Sequence, residues 1–552
     1  MKVIATLQVD LDRSGIGTRS RLGDDFGGKT LLGRTVDRVL ACRGVQDVFI
    51  LCPSSQVKAC ENLVTPAEVK IVATEAGQAP WMGLVQRARR WSLDGWRGGL
   101  GGATFFDEFV DCRVLAGLLQ NVDADAVLSV PPAAPLFDPA LADRMIDHKI
   151  RMKEDFRLVF CQTPPGLSGL VLERVLIQEL ATANSPVGWA FSYQPDAPRR
   201  DLIFEACCLE VPREVRHAVG RLSVDCDRSA ALVSECLRAN GDDDAVGVGR
   251  WLIERESKHI NSLPREVEIE LTTDDPYPDA LLRPRGSRVE ARGSIDPAIV
   301  ARVVRSICRS DDALLVLGGF GDPLRHPSFA DILRTIRDES DIGHSVYGLA
   351  VRTTGVDLTP DIIRTMIECG VDVLDIILDA WSGDLYSQLQ HPGDPAKAPL
   401  DPILAAINQV AEVRAEFGSV HPIVVPEFTK SRDNVHELDE FHDGWIRRIG
   451  TVMIGATSTF AGQFEDRRVI DMAPAARSAC KRLSSRCVVL ADGRVTPCDQ
   501  DINGRLSMGR LPDQTLDELW LGTSYAELRR VHRNGRPDGL SLCGKCSEWH
   551  RP

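Results

Sequence analysis

Short apolar runs alternate with amphipathic stretches along most of the chain. VIATLQV (Val3 to Val9) is a run of strand length, and a glycine-bearing loop, RSGIGTRSRLGDDFGGK, follows it. The helical pattern LLGRTVDRVLAC and a second apolar run, DVFILCP, come next. Strand, loop, helix, strand is the order of a parallel α/β sheet. A further strand is predicted at ADAVLSV (Ala124 to Val130), before PPAAPLFDPALADRMIDH. After about Asp201 the pattern becomes irregular, and GDDDAVGVGRWLIERESKHINSLP reads as a turn and a linking helix.

A clean strand, VEIELTT (Val267 to Thr273), opens a second segment, and its alternation fails in the proline-rich loop DDPYPDALLRPRGSR. Helices are then predicted at DPAIVARVVRSICRS, PSFADILRTIRDES, TPDIIRTMIECG and DPILAAINQVAEVRAEFG. Strands are predicted between them at ALLVLGG, SVYGLAV, VLDIILD and PIVVPEF. Repeated βα units point to a partial or full barrel, whose chemistry sits at the C-terminal ends of the strands. The loops after Thr273, Leu317, Val351 and Leu378 are therefore the candidate positions. From about Pro474 onward, cysteines, turns (ADGR, DING) and one amphipathic stretch, TLDELWLGTSYAELRRVHRNG, suggest a small module held by a metal. The expected α/β architecture is thus a Rossmann-like sheet over 1–225, linking helices over 226–264, a partial βα barrel over 265–460 and a cysteine-rich module over 474–552.

Composition narrows the class. Of 552 residues, 43% are hydrophobic and 26% charged, the balance of an ordinary globular protein. No apolar run reaches the roughly 18 residues of a membrane helix. The opening MKVIATLQVDLDRSG turns acidic too soon for a secretory signal, so a cytoplasmic location is expected. With 65 basic against 79 acidic residues the net charge is −14, which argues against a broad nucleic-acid footprint. A protein or peptide partner is left open, and no residue is assigned as catalytic.

Placement matters more than number among the 16 cysteines. Eleven lie between Cys42 and Cys369 and read as small buried hydrophobes. The other five are Cys480, Cys487, Cys498, Cys543 and Cys546. In a reducing compartment a metal or cluster is the better reading for these than a disulfide framework. Thiolates bind zinc or iron–sulfur clusters because sulfur is soft. Cys543 and Cys546 stand at i and i+3 in CGKC, with Gly544 easing the turn, and Cys498 follows Thr-Pro at the end of a hairpin turning at ADGR. Spacing alone leaves zinc and iron–sulfur open. Cys487 is an additional candidate ligand, and it also reads as the buried start of the strand CVVLA.

The elements Cys480, ADGRVTPCDQD, SMGRL, TLDELW and CGKC resemble, in order, the SPASM or twitch domain of radical S-adenosylmethionine (SAM) enzymes. The resemblance implies one auxiliary [4Fe–4S] cluster on Cys480, Cys498, Cys543 and Cys546, with Asp492 and Gly493 making the turn. The middle segment is similar to the radical SAM partial barrel, through VEIELTT, LLVLGGFGDPLRHPSF and VRTTGVDLTPDIIRTMIECGVDVLDIILDAWSGDLYSQL. That similarity implies a SAM-site loop at Gly318, Gly319, Gly321 and Asp322, although a tight βα turn in any barrel uses glycines in the same way. The family's C-x-x-x-C-x-x-C motif is absent. Its positions fall on Asp275, Asp279 and Leu282, and no cysteine lies between Cys236 and Cys308. This argues against radical SAM chemistry and leaves open whether SAM or another nucleotide binds the barrel.

The first segment resembles the cytidylyltransferase-like branch of the nucleotide-diphospho-sugar transferases, through its opening strand, the GGKTLLGRTVDRVLACRGVQDVFILCP stretch and PLFDPALADRMI. The resemblance implies a phosphate cradle at Gly15, Gly17, Arg19, Arg21 and Lys29. It also calls for an aspartate holding Mg²⁺ with the nucleotide where this chain has Ala133, which argues against catalysis. Asp10, Asp12 and Asp125 are spare carboxylates with no spacing argument. The whole arrangement is similar to spiro-SPASM-like proteins. The first expectation is therefore a [4Fe–4S] protein without radical SAM catalysis, its cluster structural, relaying electrons or anchoring a partner. A nucleotidyltransferase acting on a sugar and an unusual radical SAM enzyme are the alternatives. His326 and His391 read as surface or capping residues of barrel loops, and Trp549-His550 as a frayed end.

Overall fold

The computed structural model describes all residues except 65–67, 153–155, 241–243, 257–259, 344–347 and 552. The chain divides into two compact units, residues 1–258 and 259–552.

The first unit is built on a seven-stranded sheet of β1 (Val3–Gln8), β2 (Val48–Pro53), β3 (Lys70–Thr74), β4 (Ala126–Ser129), β5 (Leu158–Cys161), β6 (Leu170–Glu173) and β7 (Cys208–Leu209). The spatial order is β3-β2-β1-β4-β6-β5-β7, with β6 antiparallel to both neighbours. The order reverses between β1 and β4, and in an open α/β sheet such a switch point leaves a crevice beyond the strand ends. The expected helix at LLGRTVDRVLAC is Leu31–Leu40, started by Thr30, whose side chain accepts the Gly33 N–H at 3.0 Å. Residues 226–264, expected as linking helices, include residues outside the described set, and their described helices belong to this unit. Val233 and Cys236 of Asp227–Asn240, and Val248 and Leu252 of Ala245–Glu256, are buried in its core.

The second unit contains a nine-stranded sheet. Its strands are β8 (Glu266–Glu270), β9 (Leu314–Gly318), β10 (Gly348–Thr353), β11 (Val373–Ile377), β12 (Ile423–Lys430), β13 (Met453–Ala456), β14 (Arg486–Val489), β15 (Arg494–Thr496) and β16 (Gly509–Arg510). From β8 to β13 each strand pairs in parallel with the next, the βα array expected from the sequence. The strand expected at SVYGLAV is described from Gly348 onward. Among the described residues no helix is long and apolar enough to cross a membrane.

The cysteine-rich module is joined to this array rather than set apart. β14 pairs in parallel with β8, Cys487 opposite Val267, and β15 and β16 continue the sheet antiparallel. The β14–β15 turn needs Gly493: its φ is +85°, and a Cβ there would lie 2.4 Å from the Leu511 carbonyl oxygen. One apolar core runs from Val267 and Ile269 to Cys487, Val489, Trp520 and Tyr525. A module this small cannot bury enough apolar surface alone, so it borrows the barrel's core. Trp520, fully buried, donates its Nε1–H to the Asn261 carbonyl at 2.8 Å, and Arg529 stacks 4.1 Å from its ring.

A buried ion pair ties the barrel to the module. Both carboxylate oxygens of Glu270 on β8 accept from Arg292, at 2.7 and 2.8 Å. Glu270 also accepts the Ala491 N–H from the module at 3.0 Å, and Arg292 donates to the Ile502 carbonyl at 3.2 Å. The two side chains are 0% and 1% exposed, so water does not screen them. Arg292→Met is expected to cost the second unit about 3–5 kcal/mol, because it strands a buried carboxylate. Adding Glu270→Gln recovers part of that loss, and a denaturant double-mutant cycle measures the coupling.

Candidate metal centre

Three segments of the module present the four cysteines. Cys480 precedes the short helix Arg482–Ser485, and Cys498 follows β15 after Pro497. Cys543 and Cys546 close a single turn in which the Cys546 N–H donates to the Cys543 carbonyl at 3.2 Å. Gly544 is required there, because a Cβ would come within 2.7 Å of the Asp538 carbonyl oxygen. All four cysteines are half-buried, and Cys480 and Cys543 pack against the barrel core.

Cys480 is the hub of the set. Burial raises the thiol pKa of Cys498, Cys543 and Cys546, and Cys480 raises each of them further. Cys543 is pushed up to about 12. Backbone N–H groups act in the other direction and face the sulfurs: those of Arg482 and Leu483 toward Cys480, and that of Gln500 toward Cys498. The Glu548 N–H donates to Cys546 Sγ at 3.3 Å. These donors favour thiolates, and N–H groups on sulfur are a means by which proteins hold and tune iron–sulfur clusters. The donor set therefore suits a thiolate-ligated group whose positive charge offsets the cost of deprotonating buried thiols. Among the described residues no three His, Cys, Asp or Glu side chains close on one ion. A single zinc would draw four thiolates to within about 4 Å of one another, given Zn–S bonds of about 2.3 Å.

Cys487 stands apart. It is fully buried on β14, its thiol is pushed to about 12 by burial and then by Glu266, and Arg529 opposes this. None of the other four cysteines acts on it. The aspartate after the cysteine motif, Asp501, shapes the backbone by accepting the Arg505 and Leu506 N–H groups at 2.9 and 2.7 Å. Trp549, expected in a frayed end, is 5% exposed and lies against Arg477, which donates to the Cys543 carbonyl.

At the barrel mouth the sequence-predicted loop is closely packed. Gly319 has φ +92°, and a Cβ there would lie 2.6 Å from the Glu270 side chain. The backbone of Gly318 continues β9, and a Cβ on Gly321 would meet the Thr272 carbonyl oxygen at 2.3 Å. The Gly319 and Phe320 N–H groups donate to Glu268 and Glu270 at 3.0 and 3.3 Å. The Asp322 carboxylate is fully engaged, accepting from Thr353, Thr354 and the Leu324 N–H at 2.6–3.0 Å. His326 and His391 are local caps: Nδ1 of each accepts a backbone N–H at 3.1 Å, from Ser328 and Asp394.

The positions at which a barrel cluster would need thiolates do not converge. Asp275 is buried against Arg285 at 3.1 Å, Asp279 is exposed, and Leu282 lies in the apolar core. These residues do not fit a cluster. Instead the same loop sends two arginines inward. Arg283 donates to Glu427 and Thr429, each at 3.1 Å, and Arg285 donates to the Gly319 carbonyl at 2.8 Å. Arg352 on β10 donates to both Glu427 oxygens, at 2.6 and 2.8 Å. Burial alone would raise Glu427, but Arg283 and Arg352 hold it well below the usual carboxylate range. Burial and then Glu427 push its neighbour Asp375 well above that range. This network went unread in the sequence. Its signals are the alternating glutamates of EVEIE and the arginines of LLRPRGSR.

The first unit holds a cleft of about 270 Å³ lined in part by Asp10, Gly15, Arg21, Ala133 and Asp225. The expected phosphate cradle is largely paired off: Arg19 with Asp24 at 2.9 Å, Arg21 with Asp227 at 2.5 Å, and Lys29 with Asp37 at 2.5 Å. Gly17 lies beside the Gln86 side chain. Ala133 offers a methyl where the resemblance calls for a carboxylate. Asp225 is bound by Arg221, which donates Nε–H to it at 2.7 Å and also pairs with Glu108. Asp10 caps its own loop, Asp12 accepts from Gln56, and Asp125 accepts the Lys2 N–H.

A module with four half-buried cysteines, three of them facing backbone N–H donors, offers the donor types of a thiolate-ligated metal site. Residues 480–547 match SPASM, an iron–sulfur cluster-binding domain, and this module is a SPASM domain. The chain is 25% identical over 311 residues to an uncharacterized protein of Treponema pallidum (strain Nichols), covering 54% of this chain and 82% of that one. It is 28% identical over 78 residues to the S-adenosyl-L-methionine-dependent 2-deoxy-scyllo-inosamine dehydrogenase of Niallia circulans, covering 14% of this chain and 31% of that enzyme. Among solved structures it is similar to a cytidylyltransferase from Leptospira borgpetersenii, at 14% identity and a TM-score of 0.33, covering 47% of this chain and 96% of that one. Replacing Cys480, Cys498, Cys543 or Cys546 singly by serine is expected to abolish most bound iron. Cys487→Ala is expected to retain it, and iron analysis of the five purified variants distinguishes them.

Proposed function

We propose that this protein holds one [4Fe–4S] cluster on Cys480, Cys498, Cys543 and Cys546, and that its barrel carries out no radical SAM chemistry. The observation that supports this reading is the contrast within one unit. Four cysteines, three of them with N–H donors toward the sulfur, stand in the module, while Asp275, Asp279 and Leu282 diverge at the barrel mouth. A bound cluster supplies one-electron redox capacity and a rigid cross-link between segments of the module. The chain's own contribution is to set thiols that are distant in sequence, half-buried, in one module packed on the barrel core. In this reading the cluster serves as a structural clamp, an electron relay or a partner anchor, and the barrel is the platform that carries it.

Protein purified without oxygen is expected to contain about four irons and four acid-labile sulfides per chain, as for a single [4Fe–4S] site. Both are lost in Cys543→Ser. About twice that content in the parent protein would place a second cluster in the barrel and overturn the second half of the proposal. One zinc without sulfide would overturn the first half. With SAM and a strong reductant, 5′-deoxyadenosine is expected to be absent.

The cleft beyond β1 and β4 favours a second role for the first unit, the binding of a nucleotide without turnover. It lies at the switch point of the sheet, yet Ala133 lacks a metal-binding oxygen and Asp225 is held by Arg221. Equilibrium binding of cytidine and uridine nucleotides, with and without Mg²⁺, tests it. Saturable binding that is indifferent to Mg²⁺ is expected, and Mg²⁺-dependent release of pyrophosphate would restore the transferase reading.

A further inference from the structure

We infer that Arg482 and Asp499 form a charge pair that sets the reduction potential of the C-terminal cluster, an inference that rests on the cluster reading above. Each partner is tied by the chain to one of the thiols. Arg482 lies two residues after Cys480, and Asp499 directly follows Cys498. The Arg482 Nη1–H donates to the Asp499 carboxylate, so the pair bridges two of the cysteine-bearing segments. The Arg482 side chain is 9% exposed and that of Asp499 32% exposed, so solvent screens the cation far less than a surface charge.

The pair acts electrostatically on two of the thiols. Burial works against the charge on Arg482, and Arg486 opposes it too, but Asp499, Cys498 and Cys480 outweigh them. The backbone N–H of Arg482 faces the Cys480 sulfur, and the residue after Asp499, Gln500, turns its N–H toward Cys498. One residue of each thiol segment thus supplies charge, while the same stretch of backbone supplies a hydrogen bond.

The consequence is electrostatic. Cluster potentials respond to net charge, to hydrogen bonds on sulfur and to solvent exposure. Taking up one electron from an external one-electron donor makes the site one charge more negative. Arg482, a fixed cation in a dry setting, stabilises that reduced form, and Asp499 offsets part of the effect. Asp499 in turn faces Arg486 and Arg352, and it raises Glu268 at the barrel mouth. The pair therefore connects the charge state of the thiol set with that of the barrel interior.

The test is a redox titration of the full chain, followed by electron paramagnetic resonance with dithionite as reductant. Parent protein is compared with Arg482→Gln, Arg482→Lys and Asp499→Asn, each with iron and sulfide analysis. With cluster content retained, Arg482→Gln is expected to shift the midpoint to a more negative value and Asp499→Asn to a more positive one. Arg482→Lys keeps the charge and stays nearer the parent. A purely structural pair would change cluster content without shifts of opposite sign. Unmoved midpoints, or shifts of the same sign, in cluster-loaded variants overturn the inference and leave the cluster reading intact. If Arg482→Gln loses its iron, Asp499→Asn decides alone: a positive shift supports the inference and no shift overturns it. Iron-free parent protein overturns the cluster reading itself, and the inference with it.

Discussion

The second unit depends on how one carboxylate is satisfied. Glu270 is fully buried on the first barrel strand, where an isolated charge would be prohibitively costly. Four donors from three places meet it: two N–H groups of Arg292, the Phe320 N–H of the glycine-rich turn and the Ala491 N–H of the cysteine-rich module. Each donor belongs to a segment whose path is otherwise weakly specified. The turn needs Gly319 because it presses on this side chain, and the module's hairpin stands where Ala491 can reach it. Charge satisfaction at one buried atom pair therefore fixes loop, strand and module together.

A related logic operates at the two positions where the family resemblances call for a bound group. In the first unit Arg221 binds Asp225 and Glu108, and in the second Arg283, Arg285 and Arg352 bind Glu427 and its neighbours. A buried carboxylate must have a cation close by, and that cation can be borrowed from a ligand or built into the chain. Here the chain supplies it as guanidinium groups, whose fork of donors suits carboxylates and which stay charged at any accessible pH. Both acid clusters are thereby balanced by the polypeptide itself. The thiols of the SPASM domain are placed differently: the guanidinium groups that act on them, Arg482 and Arg477, are themselves paired with Asp499 and Asp538.

The elements were legible where local pattern decides them. The strand at Val267, the helices in LLGRTVDRVLAC and DPAIVARVVRSICRS and the ADGR turn all stand where the sequence places them. The barrel network was not, because EVEIE reads as a strand with one wet face. In a parallel barrel both faces are buried, so Glu268 and Glu270 point into the interior while Val267 and Ile269 meet the helices. Two long-range contacts were illegible for a related reason. Nothing near residue 226 shows that its helices pack on the first unit, and nothing near Arg486 announces a partner on β8. Such information lies in contacts between distant residues, whereas periodicity reports only on neighbours.

The pairing of β14 with β8 also orders events in time. The ion pair between Arg486 and Glu266 spans 220 residues, so during synthesis the first barrel strand emerges long before its neighbour exists. Contacts of that separation form late and slowly. Until they form, one edge of the sheet and the apolar face under Trp520 lie open, which is the exposure that invites aggregation. The polypeptide thus resembles a garment fastened by its last button. The cysteine-bearing segments take their places only once the last strands have paired with the first barrel strand, so any group held there reports completed folding rather than guiding it.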